Sequence, residues 1–207
     1  MPKKNVKHLF PLFGFAAMRV KYKDLFDIKD FYESLHEWLQ EHDWYDAEEG
    51  SGVGNDRFET YYGERIAQGG VKELWIQWRV MKPANRAPLT YYLDFDWHCI
   101  GLTKADVVKE GRKMNVDKGE IELNIRAYLQ ENYKSDLENS PFLKQFKDIV
   151  SKRLYQDQVE RRKKELYQET YELQNWIKQF FKLKRYLPYE ETKNFYPSKA
   201  WPSHLKD

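Results

Sequence analysis

The sequence predicts an α+β fold: a mostly antiparallel sheet of five or six strands, covered by one helix and followed by a long C-terminal helix or helical hairpin. Three patterns indicate this class. Polar and apolar side chains alternate over residues 120–129, as in a strand with one wet face. Apolar residues recur at helical spacing over 28–39. No Pro or Gly interrupts 142–187, so a long helix is allowed there.

The strongest hairpin signal is Asp117-Lys118-Gly119, because Gly119 can take the positive φ of a tight turn. Residues 107–116 are therefore expected to pair with the alternating strand that follows the turn. The other predicted strands are 13–23, 57–66, 71–81 and 89–100.

The covering helix is expected to begin after Asp27, whose side chain is suited to capping a helix N-terminus. A single apolar stripe follows the cap and is available to cover one face of the sheet. It consists of Ile28, Phe31, Tyr32, Leu35, Trp38 and Leu39.

The long C-terminal helix is expected to open at Ser140-Pro141, a capping residue followed by proline at the first helical position. A polar run at 156–165 separates two apolar stripes. A continuous helix to residue 187 would extend about 60 Å, and a helical hairpin turning near 156–160 is the alternative. The predicted units are a sheet domain (1–139), a helical arm (140–187) and an extended tail rich in proline and aromatic residues (188–207).

Composition limits the class of protein. Aromatic residues form 16% of the 207 and charged residues 33%, which favours a folded chain over a disordered one. No signal peptide or membrane span is visible. The single cysteine, Cys99, excludes an internal disulfide and a cysteine-based metal site, so a cytoplasmic location is expected. No cofactor is implied by any motif.

Charge is unevenly distributed along the chain. Residues 142–207 contain 15 Lys/Arg and 9 Asp/Glu, for a net charge of +6, while the rest contains 20 and 24, for a net charge of −4. This asymmetry suits an acidic partner, or docking of one end of the molecule on the other.

One acidic strand raises the possibility of a metal site. Asp94, Asp96 and His98 alternate and so share one face of the predicted strand at 89–100. Alternate residues lie roughly 7 Å apart, however, and further ligands would have to come from other strands. A solvated acidic face is the favoured interpretation.

The second stripe of the C-terminal helix provides the main functional hypothesis. If that helix projects, its stripe needs a cover, and another copy of the chain or another protein would supply one. The predicted function is therefore a non-enzymatic interaction or assembly protein, with a basic patch at Arg161, Arg162, Lys163 and Lys164 selecting an acidic partner. The predicted contact residues are Leu166, Leu173, Trp176, Ile177, Phe180 and Phe181.

Two alternatives remain open. A cavity between the sheet and the long helix would suit a carrier of lipids or small ligands. Aromatic residues on the strands, with the basic helix, would suit single-stranded nucleic acid, although nearby acids disfavour phosphate. The sequence contains no GxSxG, HExxH, Walker or CxxC motif, so an enzyme is not favoured. The aromatic set, with its nearby arginine, is Tyr61, Tyr62, Trp75, Trp78, Arg79, Tyr91 and Tyr92.

Two segments resemble parts of uncharacterised small archaeal proteins. They are KELWIQWR at 72–79 and KGEIELNIRAYLQENYKSDLENSPFLKQF at 118–146. The resemblance covers about a third of the chain and implies a cytoplasmic protein, with no functional residue to carry over.

Overall fold

The computed structural model describes residues 4, 6–14, 17–47, 57–85, 87–109, 111–134 and 155–183. These residues include seven strands, two α-helices with defined bounds and a short 3-10 helix, Val6–His8. The strands are β1 (Leu9–Pro11), β2 (Met18–Phe26), β3 (Tyr45–Asp46), β4 (Glu59–Ile66), β5 (Lys72–Pro83), β6 (Leu89–Lys109) and β7 (Arg112–Glu131). The helices are α1 (Ile28–Glu41) and α2 (Gln156–Leu183).

All seven strands belong to one antiparallel sheet with β6 at its centre. β7 and β5 flank β6; β1 and β2 share the outer side of β7, and β3 and β4 share the outer side of β5. α1 carries the chain from one edge of the sheet to the other, and the strands after it return as a meander. The predicted α+β class with an antiparallel sheet is confirmed.

The N-terminus of α1 is fixed as the sequence predicts. Asp27 has an extended backbone, and its carboxylate accepts hydrogen bonds from the amides of Lys29 at 2.9 Å and Asp30 at 3.2 Å. These bonds satisfy amides that have no partner inside the helix. Phe31, Leu35, Trp38 and Leu39 are buried, so the predicted stripe is the face that covers the sheet.

Strand alternation divides the sheet into a helix-covered face and a polar face. On β6, the odd-numbered residues from Leu89 to Cys99 point into the core, and on β7 the odd-numbered residues from Ile121 to Leu129 join them. The even-numbered positions of the same strands carry most of the charged groups. This division fixes the direction of every side chain considered below.

α2 packs on the same face as α1. The Tyr22 and Phe181 rings stack at 4.5 Å between centroids, and Phe31 of α1 lies 4.6 Å from Phe181. Two helices therefore cover the face, where the sequence predicted one. The second helix docks because its apolar stripe meets the β2 and β7 side of the sheet, which α1 leaves open.

The hairpin turn predicted at Asp117-Lys118-Gly119 is wrong. These residues lie within β7, and the chain turns at Gly111, which has a φ of 75°. Gly119 is required for a different reason: a Cβ there would lie 2.8 Å from the Leu102 side chain and 3.0 Å from the Ile100 carbonyl oxygen. The sheet is bulged between Ile100 and Thr103, and this bulge presses against Gly119.

Other sequence predictions fall outside the described residues. They include the start of the C-terminal helix and the tail at 188–207. The predicted unit boundaries at 139/140 and 187/188 lie there too. The predicted alternative of a hairpin turn near 156–160 falls on described residues, and these are helical, because they lie within α2. Neither described helix contains an apolar stretch long enough to cross a membrane.

Candidate interaction surface

The polar face of the sheet is held together by ion pairs between neighbouring strands. Asp96 on β6 accepts from Arg79 on β5 and from Arg126 on β7, each at 2.7 Å. Arg19 on β2 likewise pairs with Glu122 on β7. These charges neutralise one another, so the face has no strong potential of one sign.

Asp94, Asp96 and His98 share this face as predicted, but each has its own protein partner. Lys4 donates to Asp94 at 2.7 Å, and His98 lies 2.8 Å from Glu73. Among the residues that the structure describes, no three His, Cys, Asp or Glu side chains are grouped so as to hold a metal ion. The arrangement is a cross-paired sheet face in which Asp94 is buried and Asp96 and His98 are partly exposed, so the predicted solvated acidic face does not extend to Asp94.

The predicted contact stripe of α2 is covered within the chain. Leu166, Leu173 and Ile177 have 0% of their surface exposed, and Phe181 is also buried. Trp176 and Phe180 are half-buried, with Trp176 packed against Trp38 of α1. The stripe therefore needs no second copy to cover it.

The basic patch of α2 is divided between two environments. Arg162 donates to Glu165 at 2.5 Å and to the Asn85 carbonyl oxygen at 2.6 Å. Lys163 pairs with Glu160 and lies 4.0 Å from the centre of the Phe10 ring. Arg161 and Lys164 are exposed. The patch thus presents two open cations on the described surface.

A polar cleft of about 620 Å³ lies where α2 passes the ends of β5 and β6. On its wall, Glu169 accepts from the Trp44 indole at 2.9 Å and from Lys82 at 2.8 Å. The Tyr91 hydroxyl donates to Glu165 at 3.1 Å, and burial, followed by the Glu165 charge, raises the Tyr91 pKa. These bonds attach α2 to the rest of the fold. The charged groups of the cleft therefore have a structural role.

The strand aromatics are dispersed rather than gathered into a stacking platform. Trp78, Tyr91 and Tyr92 are buried, while Trp75 stacks on His98 at 5.4 Å on the polar face. Tyr61 and Tyr62 are exposed, and both lie on β4. Of this predicted aromatic set, Tyr61 and Tyr62 are thus the exposed members on β4.

The two edges of the sheet have opposite chemistry. β2 presents Arg19, Lys21 and Lys23, all exposed, and cations on an edge strand discourage pairing with another chain. The exposed apolar side chains of β4 are instead Tyr61 (52%), Tyr62 (50%) and Ile66 (62%). Within the described part of the chain, no strand pairs with the outer edge of β4. β4 also carries the exposed charges Glu64 and Arg65 but no lysine, so its edge is less protected than that of β2.

Backbone direction identifies which groups of β4 face outward. The amide of Ala67, just beyond β4, donates to the Val71 carbonyl oxygen at 2.8 Å, so Ala67 points toward β5. Antiparallel ladders alternate, and therefore Tyr61, Gly63 and Arg65 also direct their amides and carbonyls inward. Tyr62, Glu64 and Ile66 direct theirs away from the sheet.

The exposed side chains of β4 are held in place by local contacts. The Tyr62 hydroxyl donates to Glu64 at 3.1 Å, and Glu64 pairs with Lys72 at 2.7 Å. The hydrogen bond from Lys72, followed by that from Tyr62, lowers the Glu64 pKa, so Glu64 is ionised at neutral pH. The edge is therefore preorganised, with a phenol and a carboxylate at adjacent outward positions.

No protein-family model, curated protein or solved structure matches the chain. The resemblance to small archaeal proteins therefore stays a prediction.

Sequence reasoning placed Tyr61 and Tyr62 on a strand but missed that this strand lies at an edge. The available signal was the absence of lysine among the residues of 59–66, compared with the Arg19, Lys21 and Lys23 series on β2.

Proposed function

We propose that the protein is a non-enzymatic interaction module that binds a partner by strand addition at the outer edge of β4. The observation that supports this proposal most directly is the coincidence of two features on one strand. Tyr61, Tyr62 and Ile66 are exposed, and the backbone groups of Tyr62, Glu64 and Ile66 point outward with no described strand beside them.

An added strand would satisfy both features at once. Its backbone would pair with the outward amides and carbonyls, which supply affinity, and its alternate side chains would meet the exposed side chains, which supply selectivity. Strand edges that expose apolar side chains tend to recruit other strands. This is the interaction role expected from the sequence, moved from α2 to β4.

A peptide probe tests strand addition directly. The peptide TYYGERI, copied from residues 60–66 and labelled with fluorescein, is titrated with the full chain and followed by fluorescence anisotropy. Saturable binding is expected. A shuffled peptide containing proline in place of glycine is expected not to bind.

Two variants at one position separate backbone from side chain. Tyr62→Pro removes an outward amide without touching a β4–β5 hydrogen bond, and should weaken peptide binding at least tenfold. Tyr62→Thr keeps that amide and should weaken binding less. Absence of peptide binding to a chain whose solution mass is that of the monomer, or equal binding by the Pro variant, would refute strand addition at β4.

A further inference from the structure

The outer edge of β4 is complementary to itself. Strand addition by a second copy must oppose outward residues to outward residues, because within the described part of the chain only those have backbone groups without a strand partner. Directly opposite residues must also share a face of the extended sheet. Both conditions are met only when one residue of β4 lies opposite its own copy, with the two-fold axis between the two. The candidates for that residue near the middle of the strand are Tyr62, Gly63 and Glu64.

The three axes are not equivalent. An axis through Glu64 places this ionised carboxylate opposite its own copy, which is repulsive. An axis through Tyr62 places Glu64 opposite Thr60, which lies at the irregularity between Glu59 and Tyr61 where the ladder shifts. The first axis therefore brings like charges together, and the second places the irregular part of β4 close to the axis.

The axis through Gly63 keeps identical charges apart and places Thr60 opposite Ile66, at the end of the strand, so that the irregularity lies further from the axis. It opposes Tyr62 to Glu64 on the helix-covered face, pairing a hydroxyl donor with a carboxylate that already accepts from that hydroxyl within one chain. On the polar face it opposes Tyr61 to Arg65, an aromatic ring to a guanidinium. The pairing repeats by symmetry, and no like charges face each other.

Gly63 also suits the axis sterically. The Tyr61 ring lies over Gly63, with its hydroxyl oxygen 2.7 Å from the position of a Cβ. With glycine opposite glycine, each copy has room on the polar face for its own Tyr61 ring. A larger residue at the axis would displace only the far end of the flexible Tyr61 side chain.

We infer that the partner of β4 is a second copy of this chain, paired antiparallel about a two-fold axis through Gly63 so that the two sheets become continuous. This inference rests on the proposed function, since it names the occupant of the same edge. Closed two-fold pairs are the commonest arrangement of identical chains.

The mass of the protein in solution tests whether a second copy of the chain occupies the edge of β4. Light scattering of the wild-type chain is expected to give twice the monomer mass of 25.2 kDa, and Tyr62→Pro is expected to reduce it to the monomer value. A monomer at the highest soluble concentration would overturn the pairing of two copies. If the TYYGERI peptide still bound such a monomer, strand addition would stand and only the second copy would be refuted.

Single cysteines test the axis. Opposite residues in a non-hydrogen-bonded antiparallel pair have Cα atoms about 4.5 Å apart, within the range that a disulfide spans. Under mild oxidation, Gly63→Cys should yield a covalent dimer on a non-reducing gel, at least ten times faster than Tyr62→Cys or Glu64→Cys. The wild type is the control, because its Cys99 is buried.

The remaining outcomes are decisive as well. Faster cross-linking at position 62 or 64 would overturn the axis through Gly63. A dimer whose mass is unchanged by Tyr62→Pro would use another surface, and would overturn the inference together with its placement at β4.

Discussion

The Tyr61 ring lies along its own strand above Gly63, and its hydroxyl oxygen takes up the space that a side chain at 63 would need. The contact is made by the far end of a flexible side chain. Gly119 differs, because the atoms nearest to its missing Cβ include the backbone oxygens of Ile100, at 3.0 Å, and Gly101, at 3.2 Å. A side chain at position 63 would therefore displace only a flexible ring, whereas one at position 119 would have to displace backbone.

Replacement of each glycine by alanine should reveal this difference. Gly63→Ala should change the free energy of unfolding by less than about 1 kcal/mol, because the Tyr61 ring can swing away. Gly119→Ala should lower it by about 1–3 kcal/mol, because the bulge must move. Urea denaturation of both variants measures the difference, and equal effects would contradict this account.

Leu173→Ala should lower the free energy of unfolding by about 2–5 kcal/mol, since Leu173 is fully buried between α2 and the rest of the core. Gln179→Ala, at an exposed position of the same helix, is the matched control and should have little effect. Chemical denaturation measures both. An unchanged midpoint for Leu173→Ala would mean that α2 does not pack on the sheet.

Glu169→Ala should lower the free energy of unfolding by about 1–3 kcal/mol, because it leaves the buried Trp44 indole and Lys82 without their acceptor. Glu169→Gln keeps an acceptor oxygen for the indole and should recover part of the loss. Glu172→Ala, at an exposed position on the same helix, is the control. Thermal unfolding followed by circular dichroism measures the series, and equal losses for Glu169→Ala and Glu172→Ala would count against the role of Glu169.

Stability should fall as the pH rises from about 9 to about 12. Burial, with a smaller contribution from Asp117, raises the pKa of Cys99 from 9.0 to about 12, and burial raises that of Tyr92 from 10.0 to about 12. The unfolded chain therefore loses these protons at lower pH than the folded chain. The stabilisation is complete below the unfolded pKa values and is lost as pH rises through the folded ones.

Urea unfolding at a series of pH values measures this dependence. Cys99→Val removes the thiol while keeping an apolar side chain, and should flatten the part of the curve between pH 9 and 10. A free energy of unfolding that stays constant to pH 12 would contradict the burial of these groups.

Local patterns predicted the local structure of the chain. The alternation of Ile121 to Leu129 and the capping role of Asp27 depend on a few neighbouring residues, and both are confirmed. Gly119 led to the wrong turn prediction because a glycine can be needed either for a positive φ or for the close approach of another strand. Only long-range pairing with the bulge near Ile100 distinguishes these two needs.

The position of the candidate surface depends on pairings that sequence alone does not reveal. The residues of β4 mix charged and aromatic side chains on both faces, and its place at an edge follows from the order of the whole sheet. The same holds for α2: its stripe is readable from Leu166 to Phe181, but whether a second copy or the same chain covers it depends on tertiary packing. The edge position of β4 and the covering of the α2 stripe both depend on the tertiary structure as a whole.

The pairing of β2 with β7 also constrains how the chain acquires its structure during synthesis. Arg19 and Glu122, which form an ion pair across these strands, are 103 positions apart. β2 therefore emerges from the ribosome long before its partner exists, and contacts of such high sequence separation form slowly because a long loop must close first. We expect nascent chains that end before β7 to need protection from chaperones, and the edge made by β2 to be among the last parts of the sheet to close.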